Sequence, residues 1–286
     1  MGKKIKITIA IVLMVLSIPL CTRWFSTVKY YFSDERKQAS FLLEFSLTGT
    51  STVEARGQEN CQGEKIIIPE KTICCGYLCT VTSIGIGAFL DWYFLKSVEI
   101  PSSVTEISEY AFKGCSSLTN IEIPSSVTEI GKWAFADCSR LTSEKIPSSV
   151  KKIGDYAFFG CSGLTSVEIP TSVTEIGEHA FEGCSGLTSV EIPSSVNRIG
   201  AAAFSRCNGL TSVEIPTSVT EIGDEAFKDC IGLTSVEIPT SVKKIGTSAF
   251  ENCYNLDIVI DNRESNVSVE ENAFYGCKSV TWKEDM

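Results

Sequence analysis

The feature that most constrains this chain is a period of 23 residues that runs through most of its 286-residue length. Ala-Phe pairs end at Phe89, Phe112, Phe135, Phe158, Phe181, Phe204, Phe227 and Phe250, and a ninth at Phe274 arrives one residue late. Cys115, Cys138, Cys161, Cys184, Cys207, Cys230 and Cys253 repeat in phase, with Cys277 after the late Phe. Prolines recur at positions 101, 124, 147, 170, 193, 216 and 239. A unit this short has no core of its own, so its apolar face is buried only when neighbouring units stack.

One unit begins Leu187-Thr188-Ser189-Val190-Glu191-Ile192-Pro193 and continues through Val196, Ile199 and Gly200 to Ala203-Phe204 and Cys207. Alternation turns Val190 and Ile192 inward and leaves Ser189 and Glu191 in solvent. Pro193 ends the ladder because it has no N–H to donate. The return brings Val196 and Ile199 inward, bends at Gly200 and is expected to make a short helical turn carrying Ala203, Phe204 and Cys207. Stacked units then give continuous columns, with Phe112, Phe135, Phe158, Phe181, Phe204, Phe227 and Phe250 as the structural core.

The pattern Leu-x-x-Val-x-Ile-Pro-x-x-Val-x-x-Ile-Gly-x-x-Ala-Phe-x-x-Cys closely resembles the BspA-like, Treponema-type leucine-rich repeat, over about residues 66–286. Ile66-Ile67-Ile68-Pro69 followed by Val81-Thr82-Ser83-Ile84-Gly85 looks like an entry repeat with a longer loop. The expected fold is an α/β repeat solenoid: a right-handed leucine-rich repeat superhelix with one strand and a short return or helical turn per coil. It would have about eight full coils plus atypical ends. The resemblance implies a surface or secreted binding protein of a bacterium or microbial eukaryote, of a kind often linked to adhesion to host matrix or other cells. It implies no particular ligand.

Departures from the pattern mark the unusual coils. Glu144 occupies the column that elsewhere holds Val98, Ile121, Val167, Val190, Val213, Val236 and Val259, and Lys145 follows where Glu is the rule. Burying a charge is costly, so either the strand shifts locally to pair Glu144 with Lys145 or that coil is a weak point. Trp92 stands where Cys is expected. Asp261 replaces the strand Ile, no Pro follows, and a residue is inserted before Ala273, which reads as a C-terminal cap.

Residues 1–24 carry Lys3, Lys4, Lys6 and Arg23 and no acid, ahead of and around an apolar run from Ile7 to Cys21. This is a membrane-targeting pattern, a signal peptide or signal anchor. Without an A-x-A site after the run, an anchor through residues about 5–21 is favoured over a cleaved signal. Residues 25–65 form a linker and then an N-terminal hairpin cap, with Phe41–Leu47 and Ser51–Ala55 flanking Thr48-Gly49-Thr50. The expected domains are therefore 1–24, 25–65 and a solenoid over 66–286. The lattice cysteines read as small apolar fillers, although adjacent coils lie within disulfide reach. Cys61, Cys74, Cys75 and Cys79 in the cap are candidates for disulfides in an oxidising compartment, and their spacing does not match a zinc knuckle.

Charge excludes several functions. The formal net charge is -10, and the basic first 24 residues leave the remainder at -14, so the chain lacks the footprint for nucleic acid. Its one histidine, His179, has no nucleophile companion peculiar to its coil, and the repeated carboxylates share equivalent environments, so no acid–base pair separates in pKa. No phosphate loop or nucleophile elbow is present. No enzyme activity and no cofactor or metal are expected. Two faces are candidate binding surfaces. One is the acidic column Glu99, Glu122, Glu168, Glu191, Glu214 and Glu237, broken by Lys145 and lined with Thr and Ser. The other carries Tyr110, Trp133, Tyr156 and His179 at one position of the return. The expected function is a non-catalytic, cell-surface or secreted adhesin-like module for an extracellular protein or glycan ligand. The alternative is a structural surface-layer or self-assembling scaffold.

Overall fold

The structure is a computed structural model that describes residues 43–47, 52–57, 64–74 and 77–283, with the backbone alone at 43–47, 52–57, 73, 74, 77 and 144. Residues 1–24, Cys61 and Cys75 lie outside it, as does the side chain of Cys74. Among the described residues no helix is long and apolar enough to cross a membrane.

The repeat folds as a β-solenoid of about nine turns. The Ser-Val-Glu segments pair in parallel one period apart, Ser189 with Ser212, Val190 with Val213 and Glu191 with Glu214. They build a strand face divided into a three-stranded sheet (Lys65–Ile67, Ser97–Glu99, Asn120–Ile121) and a seven-stranded sheet from Ser143–Lys145 to Ser279–Trp282. A second strand in each coil, such as Glu175–Ile176 or Arg198–Ile199, joins a 12-stranded sheet along the return. One strand per coil was expected and two are found. The return after each proline stays extended long enough to pair, as Ile176 does with Ile199.

The expected helical turn is also corrected. Among the described residues the only helix is the 3-10 turn Glu264–Asn266. Two residues per coil take left-handed φ, for example Tyr156 at 57° and Gly160 at 68°, and these break a right-handed helix. The segment instead makes successive turns. Phe158 N–H reaches forward to the Ala180 carbonyl, while Cys161 N–H bonds back to Phe158, so alternate amides stitch each coil to the next.

The core is a set of columns. The Phe rings from Phe89 to Phe250 are fully buried and stack on one another with centroids 5.1 to 5.5 Å apart. Trp92, in the place of a cysteine, closes the first end by setting its ring edge-on to Phe89 at 5.1 Å and 89°. Each lattice thiol does more than fill space. It donates to the carbonyl of the Phe in the preceding coil, from Cys115 to Phe89 at 3.1 Å through Cys277 to Phe250 at 3.2 Å. Burial pushes the thiols of Cys115, Cys138, Cys184, Cys207, Cys230, Cys253 and Cys277 up, Cys207 to about 12. At Gly177 a Cβ would lie 2.7 Å from the backbone of Gly154, so glycine there permits the close approach of coils.

The ends differ from the sequence expectation. At the C-terminal end Val236 pairs with Ile258 and Ile238 with Ile260. Val259 therefore faces Glu237 rather than the Val column, and Ile260, not Asp261, is the strand Ile. The coil is one residue short ahead of its strand and two residues longer between Ile260 and Ser268, which places Ala273 one residue late. At the N-terminal end β1 (Leu43–Leu47) and β2 (Thr52–Gly57) form an antiparallel hairpin. After β3 (Lys65–Ile67) and β4 (Lys71–Cys74) comes β5 (Tyr77–Ile84), whose edge pairs in parallel with β2. In the coil of Glu144 no register shift occurs: Ser143, Glu144 and Lys145 align with Ser166, Val167 and Glu168. The strand face nevertheless divides immediately before this coil.

Candidate functional site

The strand face is held in register by backbone pairing, so its outward residues form rows one strand spacing apart, about 4.8 Å. Glu99, Glu122, Glu168, Glu191, Glu214 and Glu237 are all exposed on it. Like charges at this spacing repel, and salt bridges relieve the row only in places. Lys65 pairs with Glu99, Lys145 with Glu168 at 3.1 Å, and Lys283 with Glu237 at 2.5 Å. These pairs are solvent-exposed and each contributes little, about 0 to 1 kcal/mol. Among the described residues no ion pair reaches Glu191 or Glu214.

The second sheet solves the same problem differently. Its exposed column runs Glu106, Glu129, Lys152, Glu175, Arg198, Glu221 and Lys244. From Glu129 onward the signs alternate, and Glu221 is held by Arg198 at 3.4 Å and by Lys244 at 3.7 Å. This column carries four acids and three bases and is close to neutral, whereas the strand-face column carries six acids and one base, Lys145. Sequence reasoning passed over this column, although the alternation is readable at one position per period.

The hydroxyls beside the acids are structural. Thr165, Thr188 and Thr211 each donate Oγ1 to the carbonyl of the preceding threonine in the column, at 2.9, 3.2 and 3.2 Å. Their remaining lone pairs face solvent, so the row offers acceptors to a ligand. Toward its N-terminal end the face holds a concave hollow of about 490 Å³, lined by Lys65, Glu99, Asn120, Glu122 and Ser125 among others.

The aromatic position also comes together. Tyr110, Trp133, Tyr156 and His179 form one half-buried ladder, with centroids 6.3, 4.0 and 4.3 Å apart and planes within 10°. All four residues have left-handed φ of 57° to 59°, a conformation costing a non-glycine residue roughly 1–2 kcal/mol. Stacking offsets part of that cost. The Lys113 ammonium sits 4.3 Å from the Trp133 ring centre, and Phe159 leans on Trp133 at 5.5 Å. His179 Nδ1 is 2.6 Å from Glu182 Oε2, and Arg206 donates to the other oxygen of Glu182 at 3.1 Å. The ring faces are occupied by one another, so this column stabilises its own turns and shows mainly ring edges. Cys79 of the predicted cap cluster is a buried free thiol.

Comparison with known proteins places this geometry. The family described as BspA type leucine rich repeat region matches in six copies across residues 82–210 and 151–281. A leucine-rich repeat protein from Bacteroides ovatus ATCC 8483 is similar at 29% identity and TM-score 0.65, over 84% of this chain and 69% of its own. The T. pallidum leucine rich repeat protein is similar at 27% identity and TM-score 0.52, over 75% of this chain and 88% of its own. No curated protein matches the chain.

Proposed function

Because this chain belongs to the BspA type leucine-rich repeat family, we propose that it is a non-catalytic, adhesin-like binding solenoid of the cell surface or the secreted space. The observation that carries this reading is the strand face, where the row of carboxylates is kept in register and is acidic, six acids to one base, while the column of the second sheet alternates in sign from Glu129 to Lys244. A repeated strip of like charge stacked against its own repulsion is a cost that a bound cation-rich segment would remove. The ligand class is therefore an extended basic segment of an extracellular protein or a cationic glycan, engaging Glu168, Glu191 and Glu214. The basic, apolar residues 1–24 support retention at a membrane, with the solenoid projecting from it.

Two architectural points belong to the same reading. The coils wind right-handed, as parallel strand–crossover–strand connections do. The hairpin of β1 and β2 acts as the N-terminal cap, since its pairing with β5 supplies hydrogen-bond partners to an otherwise open edge. The test is binding of a lysine-rich extended peptide to the full chain and to the triple variant Glu168→Lys, Glu191→Lys, Glu214→Lys. The reading expects binding that weakens with salt and falls at least about tenfold in the variant, about 1.4 kcal/mol. Equal binding by both proteins would remove the acidic strip as the site.

A further inference from the structure

The first coil is apolar at outward positions that the second coil keeps polar. Ile84 pairs with Ile107. Counted from that register, Ile86, Leu90, Tyr93 and Phe94 take the places held one coil later by Glu109, Lys113, Ser116 and Ser117. On the strand face Ile67 likewise stands opposite Glu99. Ile86, Leu90, Tyr93 and Phe94 are 44 to 59% exposed. They are not core residues left outside, because Phe89, Trp92 and Leu95 of the same stretch fill the inward places. The stretch is also firmly held: the N–H groups of Gly87, Phe89 and Asp91 bond to the Glu109, Ala111 and Lys113 carbonyls at 2.7 to 2.9 Å. Asp91 is the one charged residue from Ile86 to Leu95, and its carboxylate lies so close to Gly114 that a Cβ there would meet it. That charge is thus turned toward the second coil. Lys96, next in the chain, is paired with Glu64 at 3.0 Å.

The chain ahead of this coil says which surface it meets. Residues 1–24 carry the basic and apolar membrane pattern, and β1 begins at Leu43, so 42 - 24 = 18 residues lie between them. A flexible chain of that length spans about 25 Å. The hairpin that follows is joined through β2 to β5, which belongs to the first coil. Of all the coils, the first is therefore the one such a tether keeps nearest a bilayer. Its outward residues suit that place, since aromatic rings and aliphatic side chains collect at the membrane–water interface. Without residues 1–24 the chain carries -10 - 4 = -14, which anionic headgroups repel, so the matching lipid surface is zwitterionic.

We propose that Ile86, Leu90, Tyr93 and Phe94 form a membrane-contact patch that seats the first coil in the interface of a zwitterionic bilayer. The solenoid then stands on a fixed foot instead of swinging on its linker. The patch adds a second contact to the membrane retention proposed above for residues 1–24, on which it rests. Glu168, Glu191 and Glu214 lie several coils further on and stay open to their ligand.

The experiment places the full chain in phosphatidylcholine vesicles that carry a photoactivatable diazirine phosphatidylcholine, and maps lipid adducts by mass spectrometry. Adducts are expected on peptides covering residues 86–94 as well as on residues 1–24. The variant Ile86→Glu, Leu90→Lys, Tyr93→Ser, Phe94→Ser gives the first coil the outward residues of the second, and far-UV circular dichroism checks its fold. Its adducts on 86–94 should fall at least about tenfold relative to those on 1–24, because four apolar side chains lose their transfer into lipid. Should that variant not fold, Phe94→Ser alone is read for a fall in the same ratio. Adducts confined to 1–24 in the unaltered chain, the result if a second copy or another part of this chain covers the patch, overturn the proposal and leave the anchor standing. Adducts on 86–94 that persist undiminished in the variant also overturn it. Adducts on neither segment overturn the anchor and the patch together.

Discussion

Phe181→Ala in the middle of the ring column should be among the most damaging single changes in this protein. Phe181 is fully buried, with Phe158 stacked 5.3 Å on one side and Phe204 5.4 Å on the other. Truncating a buried Phe costs about 3–5 kcal/mol through lost transfer energy and the cavity left behind. Each stacked pair contributes roughly 0.5–1.5 kcal/mol beyond area. Part of that stacking is already counted in the truncation, so the expected loss is about 4–6 kcal/mol. Phe274 gives the internal comparison, because it is half-exposed and has one ring neighbour at 6.2 Å. Half the burial of a Phe and a loose stack amount to about 1–2 kcal/mol. Urea unfolding followed by tryptophan fluorescence, with far-UV circular dichroism as the second probe, measures both. A column acting as the spine requires the Phe181 variant to lose about 3 kcal/mol more than the Phe274 variant. Losses equal to within about 0.5 kcal/mol would refute the reasoning, since coil-to-coil stacking would then not be what the rings contribute.

Two further outcomes follow from the same packing. Gly177→Ala forces a Cβ to within 2.7 Å of the Gly154 backbone, and the displaced coils should lose about 1–3 kcal/mol in the same urea assay; an unchanged midpoint would show that the coils are not held that close. Alkali should unfold the solenoid, because burial raises the folded-state thiols of Cys115, Cys207 and Cys253 from 9.0 to about 12. Above pH 9.0 the unfolded chain releases protons that the folded chain keeps, so stability is full below that pH and falls as pH rises toward 12. Each such thiol removes about 1.4 kcal/mol per pH unit across that window. A melting temperature that stays level through it would contradict the buried assignment.

Much of this architecture is written in the chain. The period sets the coils, the Ala-Phe pairs set the ring column, and alternation around Val190 sets which residues face in. The second sheet was less visible because its strands are two residues long and carry one inward Ile each, too short for an alternation to register. The left-handed turns were masked at one position by residues such as Tyr110, Trp133, Ala202 and Glu225, which carry no sequence preference for positive φ. At the other position a signal existed: Gly114, Asp137, Gly160, Gly183, Asp229 and Asn252 precede the cysteines, with Arg206 the exception, and Gly, Asn and Asp are the residues that tolerate this conformation. The register slip at the C-terminal end was hidden because Ile258-Val259-Ile260 is apolar throughout and fits two phases. For the candidate site, the acidic column was legible from the period alone. Its contrast with the second sheet, where Glu221 lies between Arg198 and Lys244, needed the knowledge that this position forms a strand.

The central claim is that an exposed solenoid meets its partner outside the membrane, and protease treatment of intact producing cells tests it most directly. Peptides from residues 64–283 are then sought by mass spectrometry in the released and the membrane-bound fractions. The account predicts solenoid peptides in the released fraction while peptides from residues 1–24 stay with the membrane or, if the signal is cleaved, are missing from the mature chain. Solenoid peptides that are protected until the cells are lysed would contradict it.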